Sequence, residues 1–351
     1  MRITFEDIGS FRAMQEAEAL HRIALLVGDG WHAIAHPDPD TVPEAAYFTA
    51  YSADFELMQK SYLNENAYGP HGDTLTVVAS GGADDAATNK YTVDRALTYL
   101  RQRVRVLVEN QINDGRMFER LLTTIDADLV KKFHDDYPSV EWAHAGGKDE
   151  MEHLVANEVA NAKARRIRPR LPVVCDSDSK FPGHQNGSTN RLRRVCTKAT
   201  VGLFVLRKRS IENYLHDRVL SAYALFAPDV RAAVSSIRSL TAEQRDHYPI
   251  KNGFRASLSP EEVVLYKGAQ FLAKLSRSTI MRMWLMGVIR RLARRDSKAH
   301  VPSSLRQAPK LPGLFAYYIG LDSLKPNMDD LRERKCEAEV IELARTIRSL
   351  L

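Results

Sequence analysis

The feature that most restricts the fold of this chain is a change of rhythm near residue 103. From there to about residue 217, short apolar and β-prone runs alternate with stretches of helical apolar spacing. VRVLVE (104–109), SVEWAHA (139–145), LPVVCD (171–176) and TVGLFVL (200–206) read as four strands. DGRMFERLLTTI and GGKDEMEHLVANEVANAKARR read as helices after the first two, and SIENYL as a helix start after the fourth. Parallel strands need long crossover connections, and helices supply them, so the alternation predicts an α/β fold built on a parallel sheet.

Ligands of open α/β sheets collect at the carboxyl ends of the strands. Here those ends carry Glu109, then Gly146-Gly147-Lys148, then Asp176 and Asp178, then Arg207-Lys208-Arg209 and Glu212. Each has an ordinary reading when taken alone. An Asp-x-Asp after a strand is often a turn or a helix N-cap, a GGK is common, and a single Glu is a surface carboxylate. Four such coincidences in chain order on one rim point instead to a site. Hard divalent cations take oxygen ligands, and glycines let a backbone approach phosphate without a Cβ in the way.

Charge is unevenly spread along the 351 residues. Residues 1–100 hold 6 Lys and Arg against 15 Asp and Glu, a net of −9, whereas the remainder holds 44 against 29, a net of +15. A segment this basic suits a phosphate-rich partner, because each neutralised phosphate releases condensed counterions; solvated helical faces give a similar excess. Cys175, Cys196 and Cys336 form no CxxC pair and no zinc spacing, so reduced structural thiols are expected. No run of about eighteen apolar residues occurs, and MRITFEDIGS lacks signal-peptide regions, which makes a cytoplasmic protein without a membrane partner the expectation.

The motifs VLVEN with Asp114 downstream, AGGK, VVCDSDS and above all LRKRSIENYL resemble the TOPRIM domain, in the version found in OLD-family (overcoming lysogenization defect) nucleases and related phage-defence effectors. The resemblance covers about Val104 to Asp217. It implies a Rossmann-like core in which Glu109, Asp114, Asp176 and Asp178 hold a divalent metal and Glu212 a second. The ions would be Mg²⁺ or Mn²⁺, two in number. Lys208 or Arg209 would neutralise charge on the phosphate, and Gly146 and Gly147 would admit phosphate or metal to the backbone. The implied activity is a metal-dependent nuclease acting on DNA or RNA, and the implied partners are nucleic acid, a separately encoded ATPase or sensor, and a second copy in a homodimer. No GxxxxGK[ST] occurs, so the ATPase that many OLD proteins carry in the same chain is absent from this sequence.

The chain departs from the family pattern at working positions. Asn110 stands where a glycine usually follows the glutamate. The next acid usually lies four residues beyond that glutamate, where this chain has Asn113 and then Asp114; either the loop holds an extra residue or a ligand is missing. Ser210 stands where many OLD-type members have an acid. A catalytically inactive TOPRIM fold that binds nucleic acid or serves as a scaffold is therefore the alternative.

The flanks complete the expected organisation. Residues 1–100 read as an acidic α+β module, with a helix over SFRAMQEAEALHRIALLVG capped by Ser10 and one clear strand, TLTVVAS. His32, His36 and Asp38 there fit a Pro-rich loop better than a metal cluster. Residues 101–217 form the expected TOPRIM catalytic core. Residues 218–351 read as a basic, mainly helical region, with a long interrupted helix over 260–295 ending in Arg290, Arg291, Arg294 and Arg295, and an amphipathic helix over 329–351 suited to docking or self-association. The patches HYPIKNGF (247–254) and LYKGAQFLAKL (265–275) also look like pieces seen downstream in such effectors.

Overall fold

Two parallel four-stranded sheets with the same internal strand order organise the chain. The structure, a computed structural model, describes residues 1–6, 13–36, 51–68, 73–79, 82–136, 138–227, 230–254, 258–269, 310–311 and 314–351. In the first sheet, β1 (Arg2–Phe5), β2 (Ala33–His36), β3 (Thr74–Val78) and β4 (Lys90–Thr92) lie in the order β2-β1-β3-β4. Helices α1 (Ala13–Gly28), α2 (Ser52–Tyr68) and α3 (Val93–Leu100) accompany it.

The expected α+β module is thus corrected to a parallel α/β unit. RITF, AIAH and KYT are strands as well, each of three or four residues, too short to display alternation. The Ser10 cap and Asp38 lie outside the described residues. His32 is buried, with its ring nitrogens 2.8 Å from the Leu351 carbonyl oxygen and 3.0 Å from that of Leu100.

The second sheet holds the four strands expected between 104 and 206. They are β5 (Val104–Val108), β6 (Val140–His144), β7 (Val173–Cys175) and β8 (Leu203–Val205), all parallel in the order β6-β5-β7-β8. Alternation along the strands divides the side chains between two cores. Val104, Val106, Val108 and Val174 face α4 (Arg116–Ile125) and the C-terminal helices, whereas Leu107, Val173 and Cys175 face α6 (Lys148–Ala164) and α7 (Gly187–Ala199). A short α5 (Ala127–Lys131) follows α4. Strands buried on both faces read as continuous apolar runs, which is why these four are visible in the sequence.

The described residues from Asp217 onward form helices joined by turns: α8 (Asp217–Phe226), α9 (Arg231–Arg238), α10 (Ala242–His247), α11 (Pro260–Leu265), α12 (Leu314–Ile319), α13 (Met328–Glu333) and α14 (Glu337–Arg348). They share one core with β5 and α4. The segment expected to form a single helix over 329–351 is two. Lys335 adopts φ 51°, the Lys335 N–H reaches the Arg332 carbonyl at 2.9 Å, and the Cys336 N–H reaches that of Leu331 at 2.9 Å. That is a Schellman closure, which stops α13 before α14 begins. Leu331, Val340, Leu343 and Ile347 are buried, so the apolar face docks onto the protein's own core. Of the long helix expected over 260–295, only Pro260–Leu265 and the turn to residue 269 are described, and the Arg290–Arg295 group lies outside. All three cysteines are free and buried. Among the described residues no helix is long and apolar enough to cross a membrane.

Arg170 ties these layers together. It is buried, its Nη1 lies 2.6 Å from the Gln102 carbonyl oxygen and 3.3 Å from that of Leu100, and its Nη2 donates to the Leu350 carbonyl. The guanidinium thereby closes the carboxyl ends of α3 and α14 against the approach to β7, where helix dipoles favour a cation. Burial lowers its pKa to about 10, and it remains charged at neutral pH. Arg170→Ala would strand several buried carbonyls and leave a cavity. The expected cost is about 2–4 kcal/mol, read as a lowered denaturation midpoint, with Arg170→Lys recovering only part of it because an ammonium lacks the forked reach.

Candidate functional site

The order β6-β5-β7-β8 places the topological switch point between β5 and β7. The chain leaves β5 to form β6 on one side and returns to form β7 on the other, so the connections diverge and open a crevice at the carboxyl ends. The single described register pair, Leu107 opposite Val173, aligns the ends of the two strands. Glu109 and Asp176 therefore emerge side by side, close enough that the Glu109 charge raises the Asp176 pKa.

Asp114 reaches the same place through an unusual turn. Residues Gln111–Gly115 form a π-helical turn, and such a turn commonly accommodates one inserted residue. Asn110 caps it: its side-chain oxygen accepts from the Asn113 N–H at 3.0 Å, while the Asn110 N–H donates to Asp114 Oδ2 at 2.8 Å. The Asp114 carboxyl lies within the field of Glu109 and Glu212, and of Lys251. The turn thus brings the Asp114 carboxyl to the other acids.

The remaining groups come from two loops sewn to each other. Asp178 sits at φ 51°, a left-handed conformation that Asp tolerates better than most residues. Its N–H donates to the Arg209 carbonyl at 2.9 Å, and the Ser177 hydroxyl donates to the Lys208 carbonyl at 2.7 Å. Asp176 Oδ1 accepts the Ile211 N–H at 3.0 Å. Ser210 prepares that donor: its N–H and hydroxyl both bond Asn213 Oδ1, at 3.0 and 2.8 Å, capping the 3₁₀ turn Ile211–Tyr214 that carries Glu212. Where the family pattern often has an acid, this chain has a cap.

Gly146 and Gly147 take φ 79° and 139°. Space beside Gly147 is open, so the backbone angle rather than crowding calls for glycine there. The Gly146 N–H donates to the Glu109 carbonyl at 2.9 Å, binding the start of α6 to the end of β5. That junction buries Lys148, whose Nζ lies 3.5 Å from Glu109 Oε1 and pairs with Asp178 Oδ2. Burial alone would depress the Lys148 pKa, but Glu109 and Asp178 outweigh it and raise it.

Electrostatic stress is concentrated on the acids. Burial, followed by Glu212, Glu109, Asp114 and Asp178, holds the Asp176 pKa well above the carboxylate range. Burial and then Glu109 and Glu212 push Asp114 up to about 7. Burial also raises Glu109, against Lys148 and helped by Asp178. Glu109 Oε1 is buried with no hydrogen bond.

A cleft of about 430 Å³ opens beside this cluster. It is lined by Asp176, Asp178 and Glu212 together with Lys180, Arg209 and Lys251, and by the chain from Pro249 to Phe254. No family model matches the chain, and no curated protein or solved structure matches it either.

The structure brings together Glu109, Asp114, Asp176, Asp178, Glu212, Arg209 and the two glycines. Lys208 it does not. The Lys208 side chain is buried, its Nζ lies 2.7 Å from Asp246 Oδ1 and 5.5 Å from the Tyr214 ring centre, and burial followed by Arg334 lowers its pKa. The cations that line the cleft are instead Arg209, Lys180 and Lys251. Lys251 lies in HYPIKNGF, the patch visible in the sequence, but only the fold carries it to the cleft. Lys148 stood in the AGGK motif without a role.

The donor set suits a hard divalent cation: convergent carboxylate oxygens, one of them buried with no hydrogen bond and only the Lys148 ammonium 3.5 Å away, and mutual repulsion that a cation would relieve. Among the described residues no three such side chains already form a ligand set. The fit is thus one of donor chemistry and convergence, not of a finished shell.

Repulsion of this kind has a stability consequence with a definite sign. A carboxyl whose folded pKa exceeds its unfolded value stabilises the fold below the unfolded pKa and loses that contribution as pH rises through the folded one. For Asp114 the window runs from about 4 to about 7. Asp176→Asn keeps the acceptor for the Ile211 N–H and removes one charge. In metal-free buffer it should therefore raise the melting temperature by a few degrees at pH 8 and by less at pH 5; an equal or reversed difference would contradict the cluster.

Proposed function

We propose that the chain is a divalent-metal-dependent nuclease that hydrolyses phosphodiester bonds of DNA or RNA, with a TOPRIM core of the OLD type and without the ATPase domain. The observation that carries this reading is the convergence of Glu109, Asp114, Asp176, Asp178 and Glu212 at the switch point, beside a cleft also lined by Lys180, Arg209 and Lys251. Acids that repel one another in a cleft that also holds three cations suit a substrate that brings negative phosphate and a reaction that uses Mg²⁺ or Mn²⁺.

Glu109, Asp114, Asp176, Asp178 and Glu212 would hold the divalent ions, whose chemistry when bound would be to lower the pKa of a water and to stabilise the leaving oxygen. The protein's own groups do the rest. Asp176 is oriented by the Ile211 N–H, and Glu109 lies 3.5 Å from the buried Lys148 ammonium. Arg209 and the two lysines hold the phosphate and offset the charge that grows on it. Lys148 keeps Glu109 and Asp178 together when like charge would separate them. By its resemblance to phage-defence effectors, the nuclease would be held or released by a separately encoded ATPase or sensor.

A second reading also has an observation behind it. Lys148 already compensates Glu109 and Asp178 from within, as it would in a TOPRIM fold that binds nucleic acid without turnover.

Incubation with plasmid DNA, single-stranded DNA and transfer RNA in EDTA, Mg²⁺ and Mn²⁺ separates the two. The nuclease reading expects metal-dependent cleavage that falls by ~10²-fold or more in Glu109→Gln and Asp176→Asn. Lys251→Ala should reduce cleavage by ~10-fold or more with an unchanged melting temperature, whereas Lys208→Ala should lower the melting temperature. Binding to nucleic acid with no cleavage under any metal would favour the scaffold.

A further inference from the structure

Helix α7 differs in charge from every other described helix of ten residues or more. Its sequence GSTNRLRRVCTKA holds Arg191, Arg193, Arg194 and Lys198 and no acid, whereas α1, α2, α4, α6, α8 and α14 each carry at least one. Leu192 and Cys196 are buried against the sheet, while the four cations are exposed. Arg191 is paired with Asp149 and Glu152 of α6. Arg193, Arg194 and Lys198 have no acidic partner among the described residues.

The helix has a definite direction. It begins at Asn186, just after the Asp176–Asp178 loop, and runs toward the amino edge of the sheet. Thirteen residues at about 1.5 Å each span about 20 Å. At its far end, Ala199 and Thr200 join a groove of about 940 Å³ lined by Lys163, Arg166 and Arg168 at the exit of α6, and by residues 82–87 of the first sheet's unit. The acids in that groove are engaged: Asp84 pairs with Arg95 at 2.9 Å, and Asp85 accepts the Ala87 N–H at 2.9 Å. Lys163, Arg166 and Arg168 have no ion pair among the described residues.

We propose that the outer face of α7 and the groove at its end form a binding track for a nucleic-acid backbone, separate from the acid cleft and leading away from it. The proposal rests on the nuclease reading for the identity of the polyanion. Six unpaired cations over such a length suit successive phosphates, and no acidic side chain on α7 would repel them. Affinity along this face is sequence-independent and salt-sensitive.

The test measures equilibrium binding of fluorescently labelled single-stranded DNA, duplex DNA and RNA to the full chain in EDTA, over a series of salt concentrations. The triple variant Arg193→Ala/Arg194→Ala/Lys198→Ala should bind ~10-fold or more weakly at moderate salt, with the slope of log K against log salt reduced by about 2–3. Arg193→Lys/Arg194→Lys should bind like the wild type, because a phosphate accepts either cation as a point charge. An unchanged melting temperature of the triple variant shows that folding is intact; a lowered one passes the decision to Lys163→Ala/Arg166→Ala/Arg168→Ala, which should weaken binding equally. Wild-type affinity in a folded variant, or no binding by the wild type, overturns the track. Binding through the track by a protein that cleaves nothing would leave it standing and remove the nuclease reading.

Discussion

The pairing of β5 with β7 is the constraint on which the site depends. It is a short contact, with one described register pair, Leu107 opposite Val173, yet it sets the ends of two strands side by side where the chain reverses its order across the sheet. Glu109 and Asp176 project from those ends and repel each other, and neither can leave without disturbing a strand that is buried on both faces. The energy comes from apolar packing around the strands, and the acids are held against their preference. The Ile211 N–H, the Lys148 ammonium and the turn that carries Asp114 are then devices that make a stressed cluster tolerable.

Burial of charge shapes the C-terminal side in the same way. Lys208 and Arg334 both contact Asp246 Oδ1 at 2.7 Å, and Arg334 also donates to the Asn213 carbonyl at 2.7 Å. Asn213 in turn caps the turn through Ser210 and donates to the Arg245 and Tyr248 carbonyls. These contacts lock the loop after β8 to the helices that follow it. As a result Glu212 is presented at the cleft and Lys208 is withdrawn from it, although the two are four residues apart. The helices after Asp217 therefore supply the frame for the acid rim, and the turn between α10 and α11, through Lys251, part of its lining.

Much of the second sheet was legible because its strands are sheathed on both faces and must be apolar throughout; their ends, and so the acids, followed directly. The first sheet was not. RITF, AIAH and KYT are too brief for alternation to show, and they pair only through tertiary contacts. At the site, residue types and order were readable, but side-chain direction was not: nothing in LRKRS distinguishes the buried Lys208 from Arg209 at the cleft. The turn that carries Asp114 was not legible either, because only the backbone shows Gln111–Gly115 winding into a π-helical turn. Lys251 lies 39 residues beyond Glu212 and 73 beyond Asp178, distances that local patterns do not bridge.

The central claim is that the carboxylates at the β5–β7 switch point form a divalent-cation site. Crystals soaked in Mn²⁺ and measured at the manganese absorption edge test it most directly. The account predicts an anomalous peak within coordination distance of Glu109 and Asp176, absent from Glu109→Gln crystals. A wild-type crystal with no manganese at that rim, and with Lys148 still bridging Glu109 and Asp178, would contradict it.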